Sequence, residues 1–443
     1  MKMKSILKYI PLLAVGIAFN SCSFEQDDLF DASAAERLNE ASKHYTELFA
    51  ASKGGWAMEY YPNTGKRGAV IMMNFNSNGS VETAMNNSYS SDKYISDKSC
   101  WEIITDLGPV LSFNSWSDVI HTFSNPENPS GRGYEGDYEF VITDAKDGAD
   151  HLMVKGKKRG IYQRMTRMPE GTDYKAYLEE VNSFTKKIFP EDCPNYLILE
   201  LGDSIYEVED MEYTSPDIWP YNADKVSTVA TYYYTMTKQP NDSKFHLRFN
   251  TNVPAGAESH VRELVYNADK DVFEDMDNPA YVLRGPIPAE FFMREIGTAS
   301  YLITPTSEKG DGFNTIYTAM RQAFAALSTP YTINNITIRG AERSKVLLTM
   351  AFSYKSGKKT YNGTFRYQYL LERKDNSIVL SYEGAYDTGS ENAYNTLPAL
   401  QSFLQSLSRT FNLKAKTTNF NLDEIIYTAS EDNNIWFVPV YNK

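Results

Sequence analysis

The stretch "NADKDVFEDMDN" sets Asn267, Asp269, Asp271, Glu274, Asp275 and Asp277 within twelve residues. Calcium takes hard oxygen ligands at such spacings, but an EF-type loop needs Gly sixth and Glu twelfth. The chain has Val272 and Asn278 there. A solvated acidic loop is the preferred reading, with a calcium site of another kind as the alternative. "EVEDME" (Glu207, Glu209, Asp210, Glu212) is a second run of acids. A glycosidase needs two carboxylates about 5–9.5 Å apart, and with 57 acidic residues spacing alone nominates no pair. The five histidines are His44, His121, His151, His246 and His260. The nearest approach to a ligand pair is His260-x-x-Glu263, a spacing frequent by chance. "GRGYEG" (Gly131–Gly136) matches G-x-G-x-x-G, yet "NPENPS" precedes it and a strand pattern follows, so it reads as a loop without a helix to receive a pyrophosphate. The chain contains no G-x-x-x-x-G-K-[ST], G-x-S-x-G or H-E-x-x-H. No catalytic residue, metal ligand or cofactor is nominated.

Aromatic residues remain. They make up 14% of the chain, with 32 tyrosines. In "PDIWPYNAD", Trp219 and Tyr221 stand beside two prolines outside any clear strand. Exposed, they would stack on a sugar or a peptide proline; the competing reading is a loop plug packed on the core. Tyr232-Tyr233-Tyr234 must point to both faces of a strand, so one face meets solvent or a second layer. "GDSIYE" carries Asp203-Ser204-Ile205, which resembles a short O-glycosylation motif of Bacteroidota.

The first residues give an address. Lys2, Lys4 and Lys8 precede an apolar run from Ile10 to Phe19, and small residues lead to Cys22. This is a secretory leader, too short to span a bilayer, which takes about 20 residues. "FNSC" resembles the lipobox of bacterial lipoproteins, in a looser form typical of Bacteroidota. That resemblance implies acylation of Cys22 and membrane attachment through the lipid. Glu25, Asp27 and Asp28 resemble the signal that sends such lipoproteins to the exterior face of the outer membrane. A flexible tether is the plain alternative. Once residues 1–21 and their three lysines are removed, 41 basic residues face 57 acidic ones, a net charge of −16. A field of that sign disfavours nucleic acid and anionic membrane surfaces as partners. Cys100 and Cys193 remain, either as a disulfide or as two thiols.

Elements follow from pattern. Ser33 and Glu36 form a capping box ahead of a helix with Leu38, Ala41, Tyr45 and Leu48 at 3–4 spacing. Gly54-Gly55 stops it. A hairpin turns at Asn78-Gly79, within a meander of seven or eight strands. Asp173 caps a second helix striped by Tyr174, Tyr177, Leu178, Val181 and Ile188. "GFNTIYTAMRQAFAAL" is amphipathic, "FRYQYLLE" alternates Phe365, Tyr367, Tyr369 and Leu371 on one face, and Pro398 starts another helix. The expected class is α+β, mainly antiparallel β: two curved β-meander units, each with a helix packed against its sheet. The expected divisions are leader 1–21, acylated cysteine and acidic tether 22–32, N-terminal helix plus β-meander domain 33–171, and C-terminal α+β domain 172–443.

The order of the lipoprotein cysteine, amphipathic helix, "GGWAMEYYP", "MMNFNSNGSV", "GDYEF" and "VKGKKRG" resembles a Bacteroidota putative lipoprotein family catalogued as domain of unknown function 4302. The resemblance implies a location and no catalytic residue. It also implies an accessory role near outer-membrane uptake of glycans or peptides. A non-enzymatic binding lipoprotein is therefore the leading expectation. The alternatives are a carboxylate-based hydrolase without a linear motif and a structural or adhesive surface protein.

Overall fold

A computed structural model describes residues 33–442 apart from 64–66, 107, 128–132, 147, 191–195, 210–216, 222–231 and 343. Cys22, the leader, the tether and Cys193 lie outside the described residues. The class is α+β with predominantly antiparallel sheet. Among the described residues there are three sheets, of nine, eight and nine strands. The strands of the first lie within residues 33–171, and those of the other two within residues 172–443.

Each sheet is a meander whose first strand pairs with its last. β1 (Trp56–Tyr60) pairs with β9 (Tyr162–Arg167). β10 (Leu197–Leu201) pairs with β17 (Tyr281–Arg284), and β18 (Ser300–Ile303) with β26 (Val440–Asn442). In the first sheet the two edges are β4 (Ile95–Cys100) and β5 (Glu102–Thr105), separated in sequence by Trp101 alone. In the third, the edges are β25 (Trp436–Phe437) and β26, separated by Val438 and Pro439. So short a link joins opposite edges only if the sheet curls nearly shut, which leaves little open edge for stray pairing.

Helices fill what the curled sheets leave open. Helix α1 (Ala34–Ala50) has the expected capping box, with the Ser33 Oγ accepting from the Glu36 amide. Its Phe49 enters a ring cluster with Trp56, Phe75 and Trp101. The chain then turns at Gly54, where a Cβ would lie 1.9 Å from the Pro169 carbonyl oxygen. Helix α2 (Tyr174–Ile188), capped by Asp173, buries Leu178, Val181 and Ile188 against the second sheet and the outer face of the first. Inside the third sheet, α4 (Asp311–Ala325) and α6 (Pro398–Ser406) bury Phe313, Tyr317, Met320, Phe324, Leu400, Phe403 and Leu404. Two further helices carry no strong sequence pattern: α3 (Pro288–Glu295) and α5 (Thr388–Thr396).

β1 is buried along its whole length. Alternation sends Trp56, Met58 and Tyr60 into the first sheet's core. Ala57, Glu59 and Tyr61 face the second sheet. Glu59 is 0% exposed and pairs across the ladder with Arg164 of β9, whose Nε lies 2.8 Å from Glu59 Oε1. Arg164 also makes a two-pronged contact with Glu263 of β15 (Val261–Asn267), at 2.8 and 3.1 Å. Glu263 in turn meets His246 Nδ1 at 2.8 Å, and His246 Nε2 meets Asp242 at 3.0 Å. Arg248 Nε sits 3.5 Å from the second Glu59 oxygen. This chain of charges joins the first two sheets. The Tyr61 hydroxyl adds a bond to the Arg248 carbonyl and lies 2.9 Å from Thr235 Oγ1. The His260-x-x-Glu263 spacing is, as read, a chance one: His260 is exposed and faces the Ala257 carbonyl.

Burial opposes charge at Glu263, but the His246 hydrogen bond and Arg164 outweigh it and hold its carboxyl at about 2. Burial also opposes charge at His246, yet its bonds to Glu263 and Asp242 raise its pKa above the usual value. A depressed carboxyl stabilises the fold above its unfolded value, and that stability is lost as pH falls toward about 2. A raised histidine stabilises below about 6.5, and that stability is lost as pH climbs through the raised value. Melting temperature should therefore peak between about pH 4.5 and 6.5. Glu263→Gln should lower the maximum by roughly 2 kcal/mol and flatten the acid limb, and His246→Gln should flatten the alkaline limb. Limbs of unchanged slope in both variants would show that this chain of charges does not set the pH response. Arg164→Ala leaves buried Glu59 with only the longer Arg248 contact and should cost about 3–5 kcal/mol in denaturant unfolding, against less for Glu59→Gln.

Candidate functional site

The third sheet holds the longest strands: β19 (Tyr331–Glu342), β20 (Lys345–Ser356) and β21 (Lys359–Lys374). Their inward face is covered by α4 and α6 along most of its length. Helix α4 ends at Ala325, and the strands continue past it. In this outer part, Tyr331, Tyr354 and Tyr361 are direct neighbours across the three strands. Phe352 and Gly363 form the next rung inward, followed by Phe365.

The rings make a continuous shelf. Tyr354 and Tyr361 stack with centroids 5.3 Å apart and planes 20° from parallel. Tyr331 lies 4.8 Å from Phe352 and 5.3 Å from Tyr354. Phe352 stacks on Phe365 at 4.5 Å, and Phe365 on Phe324 of α4 at 5.3 Å. At strand rise, the distance from Phe365 to Tyr361 is about 13 Å. Tyr361 is 43% exposed, Phe365 only 9%, so the shelf runs from solvent toward the core. Its inner end opens into a recess of about 210 Å³, lined by Phe324, Leu327, Tyr331 and Phe365 and by Asn392 and Thr396 of α5. Gly363 makes the shelf possible: a Cβ there would lie 2.5 Å from the Phe352 ring. Apolar ring faces, a concave end and a few neutral polar groups suit a ligand held by stacking.

The residues singled out by sequence lie elsewhere. Trp219 belongs to a short edge strand, β12 (Asp217–Pro220), and is buried at 7% exposure. The expectation of a position outside any strand is corrected, because β11 (Ser204–Glu209) pairs with this segment and sets Trp219 opposite Glu207. Tyr221 is half-buried, and its hydroxyl donates to Glu290 of α3. Burial and that carboxylate push its pKa up to about 12. Neither ring joins the shelf.

Each acidic run falls partly or wholly into structural contacts. Glu207 and Glu209 both meet Arg294 of α3, at 2.8 and 3.1 Å. Asp271 accepts from Tyr266, Thr418 and the Asn419 amide, tying the second sheet to a loop of the third. Asn267 and Lys270 both bond Glu274. Among the described residues no group of three His, Cys, Asp or Glu is placed to hold a metal ion. Of "GRGYEG", residues 133–136 form a turn and irregular backbone. Tyr232, Tyr233 and Tyr234 are all buried, but only Tyr234 lies in a strand, β13 (Tyr234–Lys238), so the expectation of three rings alternating along one strand is corrected. Ser204 is exposed at a hairpin tip, and Cys100 is exposed at the end of β4.

Sequence reasoning read Phe365 as core and left the shelf unseen, although "FSYKSGKKTYNGTF" carries a usable signal: aromatic residues at matching positions either side of a turn. Gly363→Val should push Phe352 off its neighbours. Overpacking of this kind costs about 1–3 kcal/mol. Near-ultraviolet circular dichroism should change while the far-ultraviolet spectrum holds. An unaltered near-ultraviolet spectrum would mean the ring contacts do not depend on that glycine.

No curated protein matches the chain. Residues 26–268 match the family described as Domain of unknown function (DUF4302), a span that covers the first sheet and the second as far as β15. The shelf lies beyond that span. The match takes in more than half of the 443 residues, so the chain belongs to the DUF4302 family.

Proposed function

We propose that the chain is a lipid-anchored binding protein at the exterior of the outer membrane, acting without catalysis in the uptake of a glycan or peptide. The observation that carries the binding role is the shelf: five rings in contact, partly open to solvent, leading into a recess. Monomeric proteins seldom leave contiguous aromatic surface uncovered unless something binds it. The attachment rests on the leader, on Cys22 and on the acids that follow it. Acyl chains on Cys22 supply anchoring at ~0.8 kcal/mol per buried CH₂. Among the described residues no helix is long and apolar enough to cross a membrane, so the lipid is the proposed means of attachment.

The test is a thermal-shift screen of protein starting at Ser23 against oligosaccharides and peptides, run beside Tyr354→Ala/Tyr361→Ala. A ligand at 100 times its dissociation constant adds about 2.7 kcal/mol. A shift in the parent that vanishes in the double variant is expected. A shift of equal size in both would move the site elsewhere. No shift across the panel would sink the uptake reading. Attachment is checked separately: Cys22→Ser should move the full chain from the membrane fraction to the soluble one.

A further inference from the structure

Total charge conceals the charge of the shelf. The chain has 57 acidic residues, yet none falls between Gly312 and Ala341 or between Val346 and Leu371. Those two stretches contain most of α4 and nearly all of β19, β20 and β21. They carry Arg321, Arg339, Lys355, Lys358, Lys359 and Arg366. The three lysines surround the turn between β20 and β21, one to three residues from the stacked tyrosines, and all three are exposed. Strand alternation sets Lys359 on the same face as Tyr361, Gly363 and Phe365, with Lys358 in the turn and Lys355 on the opposite face. Lys345 pairs with Glu383 and Arg366 with Asp387. Lys355, Lys358 and Lys359 carry no ion pair among the described residues. Of the acids on the neighbouring helix α5, Asp387 is held by Arg366 and Ser390, and Glu391 is exposed beside the recess-lining Asn392.

We infer that the shelf takes an acidic oligosaccharide, with sugar rings on Tyr354 and Tyr361 and carboxylate or sulfate groups against Lys358 and Lys359. The inference rests on the shelf being the binding site. Charge complementarity argues for the anion: unpaired cations beside the rings attract it, and the surrounding negative surface repels it everywhere else. The direction of the rings argues for the sugar. A peptide that binds by strand addition uses main-chain edges, here the flanks of β19 before Ile336 and of β21 before Tyr367 that β18 and its neighbour on the other side do not reach, whereas the shelf presents stacked ring faces on the broad side of the sheet. Recognition there falls to ring faces and side chains, and a sugar presents a flat apolar face with hydroxyls at its rim. Asn392 and Thr396 of α5 are exposed at the recess and supply neutral partners for those hydroxyls.

The experiment is calorimetric titration of protein starting at Ser23 with oligouronates and sulfated oligosaccharides. Each is compared with its methyl-esterified or desulfated counterpart, at low and at physiological salt. Polyglutamate and a single-stranded oligonucleotide are run alongside. An acidic sugar should bind about tenfold tighter than its neutral counterpart at low salt, with the gap narrowing as salt rises. K358Q/K359Q should erase the gap between the acidic and the neutral sugar, whereas Y354A/Y361A should weaken the binding of both. Equal affinity for acidic and neutral sugars, with loss in Y354A/Y361A, would overturn the charge assignment and keep the shelf. A preference that survives K358Q/K359Q would overturn it too. Tighter binding of polyglutamate or oligonucleotide would overturn the sugar. Absence of binding by every probe would overturn both the inference and the reading it rests on.

Discussion

A carboxylate with no exposure to water, in the middle of a strand buried on both faces, is the constraint around which the first two sheets are arranged. Glu59 cannot keep its charge there unless a cation is held against it, since removing a carboxylate from water costs several kcal/mol. Arg164 supplies that cation from the neighbouring strand. Arg164 is nearly as buried, and its remaining donors reach Glu263 on the other sheet. Each partner thus requires the next, and the series meets solvent at Glu263 and at Asp242, whose side chains are 30% and 25% exposed. The network fixes how β1 and β9 lie against β14 (Phe245–Val253) and β15. A hydrophobic face would hold the sheets together with more freedom to slide, because the hydrophobic effect has no direction.

The same economy appears at the joint between the second and third sheets. Phe420, on a loop of the third sheet, enters the second sheet's core beside Phe189 and Phe273. Asp271 then pins that loop through Thr418 and Asn419. The backbone approaches so closely that a Cβ on Gly285 would lie 1.8 Å from the Asn419 oxygen. The third sheet is held at one end by this plug and by Arg294 bridging to Glu207. Its long hairpins project from the other end, and that excess of strand over helix produces the shelf.

Local signals were legible in the sequence and distant ones were not. The capping box at Ser33, the cap at Asp173 and Pro398 at a helix start depend on residues three or four apart, and each forms as expected. The second sheet was faint because several of its strands are buried on both faces, which erases the alternation that marks a half-buried strand. Glu263 stood out only through its chance spacing from His260, because its partners lie 17 and 99 residues distant on other strands. Trp219 looked like a loop residue because prolines flank it, yet proline is tolerated on an edge strand, which is where it lies. The shelf went unread for a related reason. Alternation in "FRYQYLLE" shows which face is apolar and says nothing of where the helix covering that face ends.

Charge is distributed by task. Many carboxylates of the two acidic runs are engaged by arginine, lysine, hydroxyl or backbone groups at joints and turns. A carboxylate held this way is poorly placed to exchange protons with a substrate: Glu263, for example, stays ionised far below neutral pH. The lysines at the tip of the third sheet have the opposite character. They are exposed, outside the ion-pair networks and grouped beside aromatic rings, where they add little to folding stability. A fold that settles its internal charges so fully leaves those lysines as its readily available cations near an apolar surface. The physical separation is then between a rigid, charge-locked body and a projecting end whose charge is uncommitted, and that end is where selection by an anionic ligand has something to act on.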